Sequence, residues 1–306
     1  MARVAAPELP IGRVVVLAGP GVIDTGALTG LRDFATARAL GVANTWGAKG
    51  AFNWDSPHHL GTCGLQARDF ELLGWSDADA IIATGIDDAE SPRAHFALAP
   101  VLDIDPRDLV ELARAPMPVP ATIRPLENQL YPRLAAIAQP GFVDDKVPLH
   151  PARAVADLGA VLPPGGLVAA DPGVAGLWVA RTFPTPALAP GEARRVVVPA
   201  RREPGAAVRL AVEAARAGRP AIALTTEPLD DATASACAAA TKEGLDLVLV
   251  VWGSIGRLRR ADEHRAEIAA ALGAPGVTTL EIPVALDDTR LLVEAAGDVV
   301  AWGGLG

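Results

Sequence analysis

Residues 219–254 read RPAIALTTEPLDDATASACAAATKEGLDLVLVVWGS, and this stretch decides the fold. A short apolar run, residues 221–225, ends on Thr225, and Thr226 follows. A turn and an alanine-rich segment follow, and then a second apolar run at 245–252. Neither run alternates apolar with polar residues, so each is a strand covered on both faces, as in a parallel sheet flanked by helices. Asp230 and Asp231 fall at the start of the intervening segment, where the positive end of a helix dipole favours acidic side chains.

The same alternation continues on either side. Upstream, residues 13–19 (RVVVLAG) form a strand that ends in a Gly-Pro-Gly turn, and residues 26–40 carry Leu28, Leu31, Phe34 and Ala35 at helical spacing. Strands follow at 78–85 and 100–105. Residues 115–151, APMPVPATIRPLENQLYPRLAAIAQPGFVDDKVPLHP, are crowded with proline, which removes backbone donors, and room remains for one helix near 126–138. The second half resumes with a helix at 152–161, a strand at 167–171 and a helix at 174–181. Further strands are expected at 195–198, 221–225, 245–252 and 277–282. The expected architecture is α/β, with two tandem doubly wound Rossmann-like domains and mostly parallel sheets. One spans residues 1–115 and the other 151–306, joined by a linker at 116–150.

Composition bounds the function. A chain of 306 residues has room for two domains, and with 50% hydrophobic but only 4% aromatic residues, alanine, valine and leucine must fill the cores. A net charge of −9 argues against a nucleic-acid backbone as partner. No apolar run approaches the ~18 residues that span a bilayer, and no secretory leader is legible at the N-terminus. The two cysteines, Cys63 and Cys237, lie far apart, which fits a reducing, cytoplasmic setting.

Local candidates are few. Gly19-Pro20-Gly21 with Gly26 misplaces the third glycine of a dinucleotide loop and reads as a plain strand-to-helix turn. Asp103 and Asp105 end a strand, where a carboxylate can take ribose hydroxyls, while Asp105-Pro106 also reads as a helix cap. His58, His59 and Cys63 are zinc-type ligands without a second pair at structural spacing. Cys237 is expected in a core and His264, on a charged helix, at the surface. Nothing resembles a nucleophile elbow, so no catalytic and no metal-ligating residue is assigned.

Residues 12–64, GRVVVLAGPGVIDTGALTGLRDFATARALGVANTWGAKGAFNWDSPHHLGTCG, together with DADAIIATG and VLDIDP, resemble the central domain of thiamine diphosphate enzymes of the acetolactate synthase and benzoylformate decarboxylase type, including a Lys-Gly-x-Phe loop at 49–52. Residues 162–183, LPPGGLVAADPGVAGLWVARTF, look like the opening of that family's pyrophosphate-binding domain. The resemblance implies thiamine diphosphate with magnesium as cofactor, and FAD or ADP as an occupant of the central domain in some members. Asp171, Gly173, Thr226, Glu227, Gly253 and Ser254 then match the diphosphate site.

Two departures qualify what the resemblance implies. The family's pyrimidine-binding domain, which supplies the glutamate that activates the cofactor, has no counterpart in these residues. The family's Gly-Asp-Gly and later Asn become Thr225-Thr226-Glu227 and, near the second strand's end, Gly253-Ser254. Magnesium is held by carboxylate and carbonyl oxygens; a threonine followed by a glutamate replaces the ligand and puts negative charge where a diphosphate would lie. Asp230 and Asp231 are poor replacements, being placed to serve a helix start. The family's glycine-rich segment between 181 and 204 is replaced by PGEARRVVVPARREPGAA, whose Arg194, Arg195, Arg201 and Arg202 read as a solvated loop or an anion-binding patch.

The expectation is therefore a thiamine diphosphate enzyme homologue with a degenerate site. It would be a non-catalytic or accessory subunit, a homodimer or partner of a separate pyrimidine-domain subunit, with no nucleic acid or membrane partner. The alternatives are a protein that binds a nucleotide or acyl-CoA through the central domain, and one half of a split 2-oxoacid decarboxylase or carboligase.

Overall fold

The computed structural model describes residues 12–115 and 126–305 of the chain. Part of the proline-rich stretch, residues 116–125, lies outside the described residues. The chain divides into two compact units, residues 1–131 with 187–191, and residues 132–186 with 192–306.

The first unit runs β1 (Val14–Ala18), α1 (Gly21–Asp24), α2 (Leu28–Arg38), β2 (Val42–Thr45), β3 (His59–Cys63), α3 (Asp69–Leu72), β4 (Ala80–Thr84), α4 (Arg93–Phe96), β5 (Val101–Ile104) and α5 (Leu109–Arg114). Its sheet has the order β3-β2-β1-β4-β5, and every pairing is parallel. Val16 and Ala18 point to the same face as Val42 and Ile82. They pack there on Leu28, Leu31, Phe34 and Ala35 of α2 and on Leu109 and Leu112 of α5. The i, i+3 spacing of Leu28, Leu31 and Phe34 therefore turns one helical stripe inward. Elsewhere in the unit Phe70 meets Trp75 at 5.0 Å between ring centroids and Phe96 at 6.1 Å.

A short excursion of the chain, residues 187–191, belongs to this unit. Leu188 is buried in its core. Its amide donates to the Gly50 carbonyl at 2.9 Å, and its carbonyl accepts from Arg32 at 2.8 Å. The Arg32 guanidinium also bonds Ala51 O at 2.7 Å and Gly50 O at 3.1 Å, so one side chain fixes two loops distant in sequence.

After α6 (Leu130–Phe142), the second unit contains α7 (Pro151–Val161), β6 (Leu167–Ala170), α8 (Val174–Thr182), β7 (Val196–Val197), α9 (Ala206–Arg216), β8 (Ala221–Thr226), α10 (Asp231–Glu243), β9 (Leu247–Gly253), α11 (Glu263–Gly273), β10 (Val277–Pro283) and α12 (Thr289–Ala296). The order is β10-β9-β8-β6-β7, again all parallel. Two five-stranded parallel sheets with interleaved helices match the architecture read from the sequence. The strands β2 and β3 and the helices α9 and α12 were not read there.

Small residues build the second core. Leu167 and Ala169 of β6, Ala221 and Ala223 of β8 and Leu247, Leu249 and Val251 of β9 pack on Ala207, Val208, Ala211 and Val212 of α9 and on Ala240 of α10. Cys237 is half-buried at the margin of this cluster. Elsewhere in the unit, Trp178 is fully buried and donates from Nε1 to Thr289 Oγ1 at 2.9 Å.

One expectation is overturned here. His264 is completely buried, not exposed: its Nδ1 lies 3.0 Å from Asp157 Oδ2. The charged neighbours of α11 suggest a solvated helix, but Asp157 on α7 supplies a buried partner for that face.

Candidate functional site

In an open α/β sheet a ligand binds outside the carboxyl ends of the strands, where the strand order reverses. In the first unit that point lies between β1 and β4. Gly19 N donates to Thr84 O and Gly21 N to Gly85 O, each at 2.9 Å. The backbone of the Gly-Pro-Gly turn therefore lies directly on the loop after β4, and those two amides are spent within the protein. A phosphate cannot use them without opening this contact. Pro20 contributes no amide at all.

Beside this closed point, an open pocket of about 450 Å³ lies at the ends of β4 and β5, lined in part by Gly85, Asp88, Arg93, Phe96, Asp103 and Asp105. Arg93 is paired with Asp103 at 2.6 Å. Asp105 does cap: its Oδ1 accepts from Arg107 N at 2.9 Å, with Pro106 in the first turn. Of the zinc-type residues, His58 Nδ1 meets Leu40 O at 2.9 Å, and Cys63 Sγ lies 3.6 Å from Asn44 O. Among the described residues no group of three His, Cys, Asp or Glu side chains is placed to hold a metal ion.

His59 is different. Its Nδ1 is buried without a hydrogen-bond partner. Burial, then the charge of Lys49, pushes its pKa down to about 4. A free histidine titrates near 6.5, so the unfolded chain binds a proton there that the folded unit refuses. Stability of the first unit is therefore expected to be full above about pH 6.5 and to fall as the pH drops toward 4. Denaturant midpoints measured across that window should flatten by one proton in His59→Phe; an unchanged slope would show that His59 is not the group responsible.

In the second unit the reversal lies between β6 and β8, and the six residues matched to the diphosphate site lie at the carboxyl ends of β6, β8 and β9. Asp171, just after β6, is half-buried and engaged within the protein. Its Oδ1 accepts from Ala207 N at 2.8 Å, capping α9. Burial pushes the Asp171 carboxyl up, with the like charge of Asp230 adding to it, and the bonds from Ala207 N and Thr225 only partly offset this. Asp230 closes the same helix start from the other side. Its Oδ2 accepts from Gly205 N at 3.2 Å and its Oδ1 from Thr233 N at 2.6 Å, capping α10. Asp230 is thereby engaged as a cap, and Asp231 stands in the first turn of α10.

Glu227 decides the chemistry. Its amide donates to Trp252 O at 3.0 Å, and its carboxylate lies where a side chain on Gly253 would go. The glutamate is thus folded across the end of β9 beside exposed Ser254. Thr226 offers a neutral hydroxyl. A magnesium-bound diphosphate needs oxygen ligands and space at this point; these residues offer one anion already in the space. The residues do not fit the group, and no step is derived through it.

Two of the four arginines are engaged within the protein, one on each side of β7. Before the strand, Arg195 donates to Leu162 O at 3.1 Å; after it, Arg202 donates to Gly304 O at 2.7 Å. The Arg202 contact was not legible in the sequence, since it joins residues 102 positions apart.

Three comparisons bear on this arrangement. The family model described as "Thiamine pyrophosphate enzyme, central domain" matches residues 12–130. A "Probable acetolactate synthase large subunit" of Methanocaldococcus jannaschii is 27% identical over 203 residues, covering 56% of this chain and 34% of that protein. The chain thus spans about a third of the length of that curated relative. An X-ray structure of a protein assigned as a thiamin diphosphate-dependent enzyme, from Mycobacterium smegmatis, superposes with a TM-score of 0.65 at 18% identity, covering 89% of this chain and 61% of that one. At that identity the likeness speaks for the fold alone. No helix among the described residues is long and apolar enough to cross a membrane.

Proposed function

We propose, from the match of residues 12–130 to the thiamine pyrophosphate enzyme central domain and the likeness to an acetolactate synthase large subunit, that the chain is a thiamine pyrophosphate enzyme homologue whose second unit is a pyrophosphate-type domain that has lost the metal and diphosphate site, and that the protein serves as a non-catalytic or accessory subunit. The observation that carries this reading is the Glu227 carboxylate lying over Gly253, next to Thr226 at the position of the missing ligand. A partner supplying a pyrimidine-type domain, or a second copy of this chain, is the association such a role calls for.

Calorimetry with thiamine diphosphate and Mg²⁺ tests it, on the chain alone and with a pyrimidine-domain protein added. The wild type is expected to give no Mg²⁺-dependent heat at micromolar concentrations in either case. Micromolar binding would instead support half of a split decarboxylase or carboligase. Glu227→Gly removes the like charge, and affinity for inorganic pyrophosphate should then rise at least about tenfold, or roughly 1.4 kcal/mol. No gain would mean that the glutamate is not the obstacle.

The pocket at the ends of β4 and β5 favours a second reading, in which the first unit binds a nucleotide or acyl-CoA. Its carboxylates suit ribose hydroxyls, while the spent amides of Gly19 and Gly21 count against a phosphate at the reversal itself. Thermal stabilisation by FAD, ADP or CoA would support it, since a ligand selective for the native state raises apparent stability.

A further inference from the structure

We propose that residues 187–191 are a detachable clasp, and that the socket they fill on the first unit keeps the loop at 46–52 in shape only while it is filled. The segment is held at one apolar point. Leu188 alone is buried among residues 186–191, the others being exposed, and it joins the cluster that contains Leu28, Ala51 and Phe52. No strand pairing runs through the segment, so its departure leaves the first sheet paired as before.

Around that anchor the socket is polar. Gly50 stands at φ 95°, a conformation that favours glycine. Its carbonyl receives two donors, Leu188 N at 2.9 Å and Arg32 Nη2 at 3.1 Å. Arg32 also donates from Nε to Ala51 O at 2.7 Å and from Nη2 to Leu188 O at 2.8 Å. The planar guanidinium thus serves loop and clasp together. Without the clasp, this partly buried cation is one acceptor short and Gly50 O is one donor short. Unmade bonds at such a site are costly, so the loop must shift to admit water.

The clasp is suited to enter and leave as a unit. Pro184, Pro186 and Pro190 fix φ and donate no amide, which leaves the segment little chain entropy to lose on docking. The occupant that fits is therefore an extended, proline-flanked peptide with one leucine, whose own amide and carbonyl both bond the socket.

Hydrogen–deuterium exchange on the full chain tests the clasp with no cofactor added, so its outcome is independent of the function proposed above. Leu188→Ser removes the anchor alone. Amides at 48–53 are expected to exchange about tenfold faster in this variant, while β1 and β4 keep their protection. A synthetic peptide of residues 184–193 should then restore the wild-type rate. A tethered segment is presented at an effective concentration of about millimolar, so a clasp that docks in cis must also dock in trans at about 5 mM peptide. In Arg32→Lys a single ammonium cannot serve three carbonyls in fixed directions; the loop should loosen in the same way, and the peptide should restore nothing. Unchanged exchange at 48–53 in Leu188→Ser, or no recovery with peptide, would overturn the proposal. Acceleration spread equally through β1 and β4 would also overturn it, because the segment would then be part of the core and not a clasp. Full recovery of Arg32→Lys with peptide would remove the guanidinium from the socket and overturn the coupling of clasp to loop.

Discussion

Asp157→Ala is expected to cost the second unit about 3–5 kcal/mol, read as a lower denaturant midpoint for that unit at pH 7. Asp157 is fully buried on α7, and both carboxylate oxygens are in use. Arg153 Nε lies 3.1 Å from each, His264 Nδ1 is 3.0 Å from Oδ2 and Arg265 Nε is 2.5 Å from Oδ1. Removing the carboxylate strands a nearly buried guanidinium and a buried imidazole at the contact between α7 and α11. Losing one partner of a buried pair costs far more than the pair contributes net, because the remaining charge keeps its desolvation penalty.

The pH dependence of this group follows from the same contacts. Burial alone pushes the Asp157 carboxyl up, but hydrogen bonds from His264 and Arg265 and the charge of Arg153 outweigh it, leaving the group below its usual range. A carboxyl held low contributes stability above its unfolded value, about 4, and loses that contribution as the pH falls through its folded value. The second unit should therefore show an acid transition below about pH 4 that is absent in the variant. An Asp157→Ala protein within about 1 kcal/mol of wild type at pH 7 would remove the basis for this account.

Gly19→Ala is the second large effect, in the first unit. A Cβ at Gly19 would collide with the Gly85 carbonyl oxygen and lie 2.5 Å from the Cα of Ile86. Both are backbone atoms, so no rotamer change relieves the contact. The loops must part, and the bonds from Gly19 N to Thr84 O and Gly21 N to Gly85 O are lost with them. Overpacking together with unmade buried hydrogen bonds is expected to cost about 3 kcal/mol. Gly273→Ala is the control: nothing lies within 4 Å of its Cβ position, and its stability should change little. Similar losses in both variants would show that steric crowding at the strand crossing is not the cause.

How legible the molecule was depends on the range of the interactions involved. Unbroken apolar runs such as residues 247–252 declare buried parallel strands, because side chains on both pleated faces must be apolar. The β2 strand, VANT, and the β3 strand, HLGTC, escaped for the opposite reason. Their polar residues lie buried against other polar groups at one end of the sheet, as Asn44 and Thr62 do, and no local pattern announces that. Asp105 was readable as a cap since a cap is satisfied within three residues, and Asp230 was read only as an acidic residue in the first turn, where it proves to be the cap itself. Asp171 was not legible as a cap: it caps a helix that begins 35 residues later.

By itself the sequence determined the two-sheet α/β architecture, because strand burial is a property of residue types in order. Only the tertiary structure decided where the displaced charges and loops went. Glu227 lies on Gly253, His264 turns inward to Asp157, Leu188 returns to the first core, and the Leu305 carbonyl comes to rest beside Gly173. Each is a contact between segments distant along the chain, and its energy depends on burial and geometry that exist only once the strands have paired.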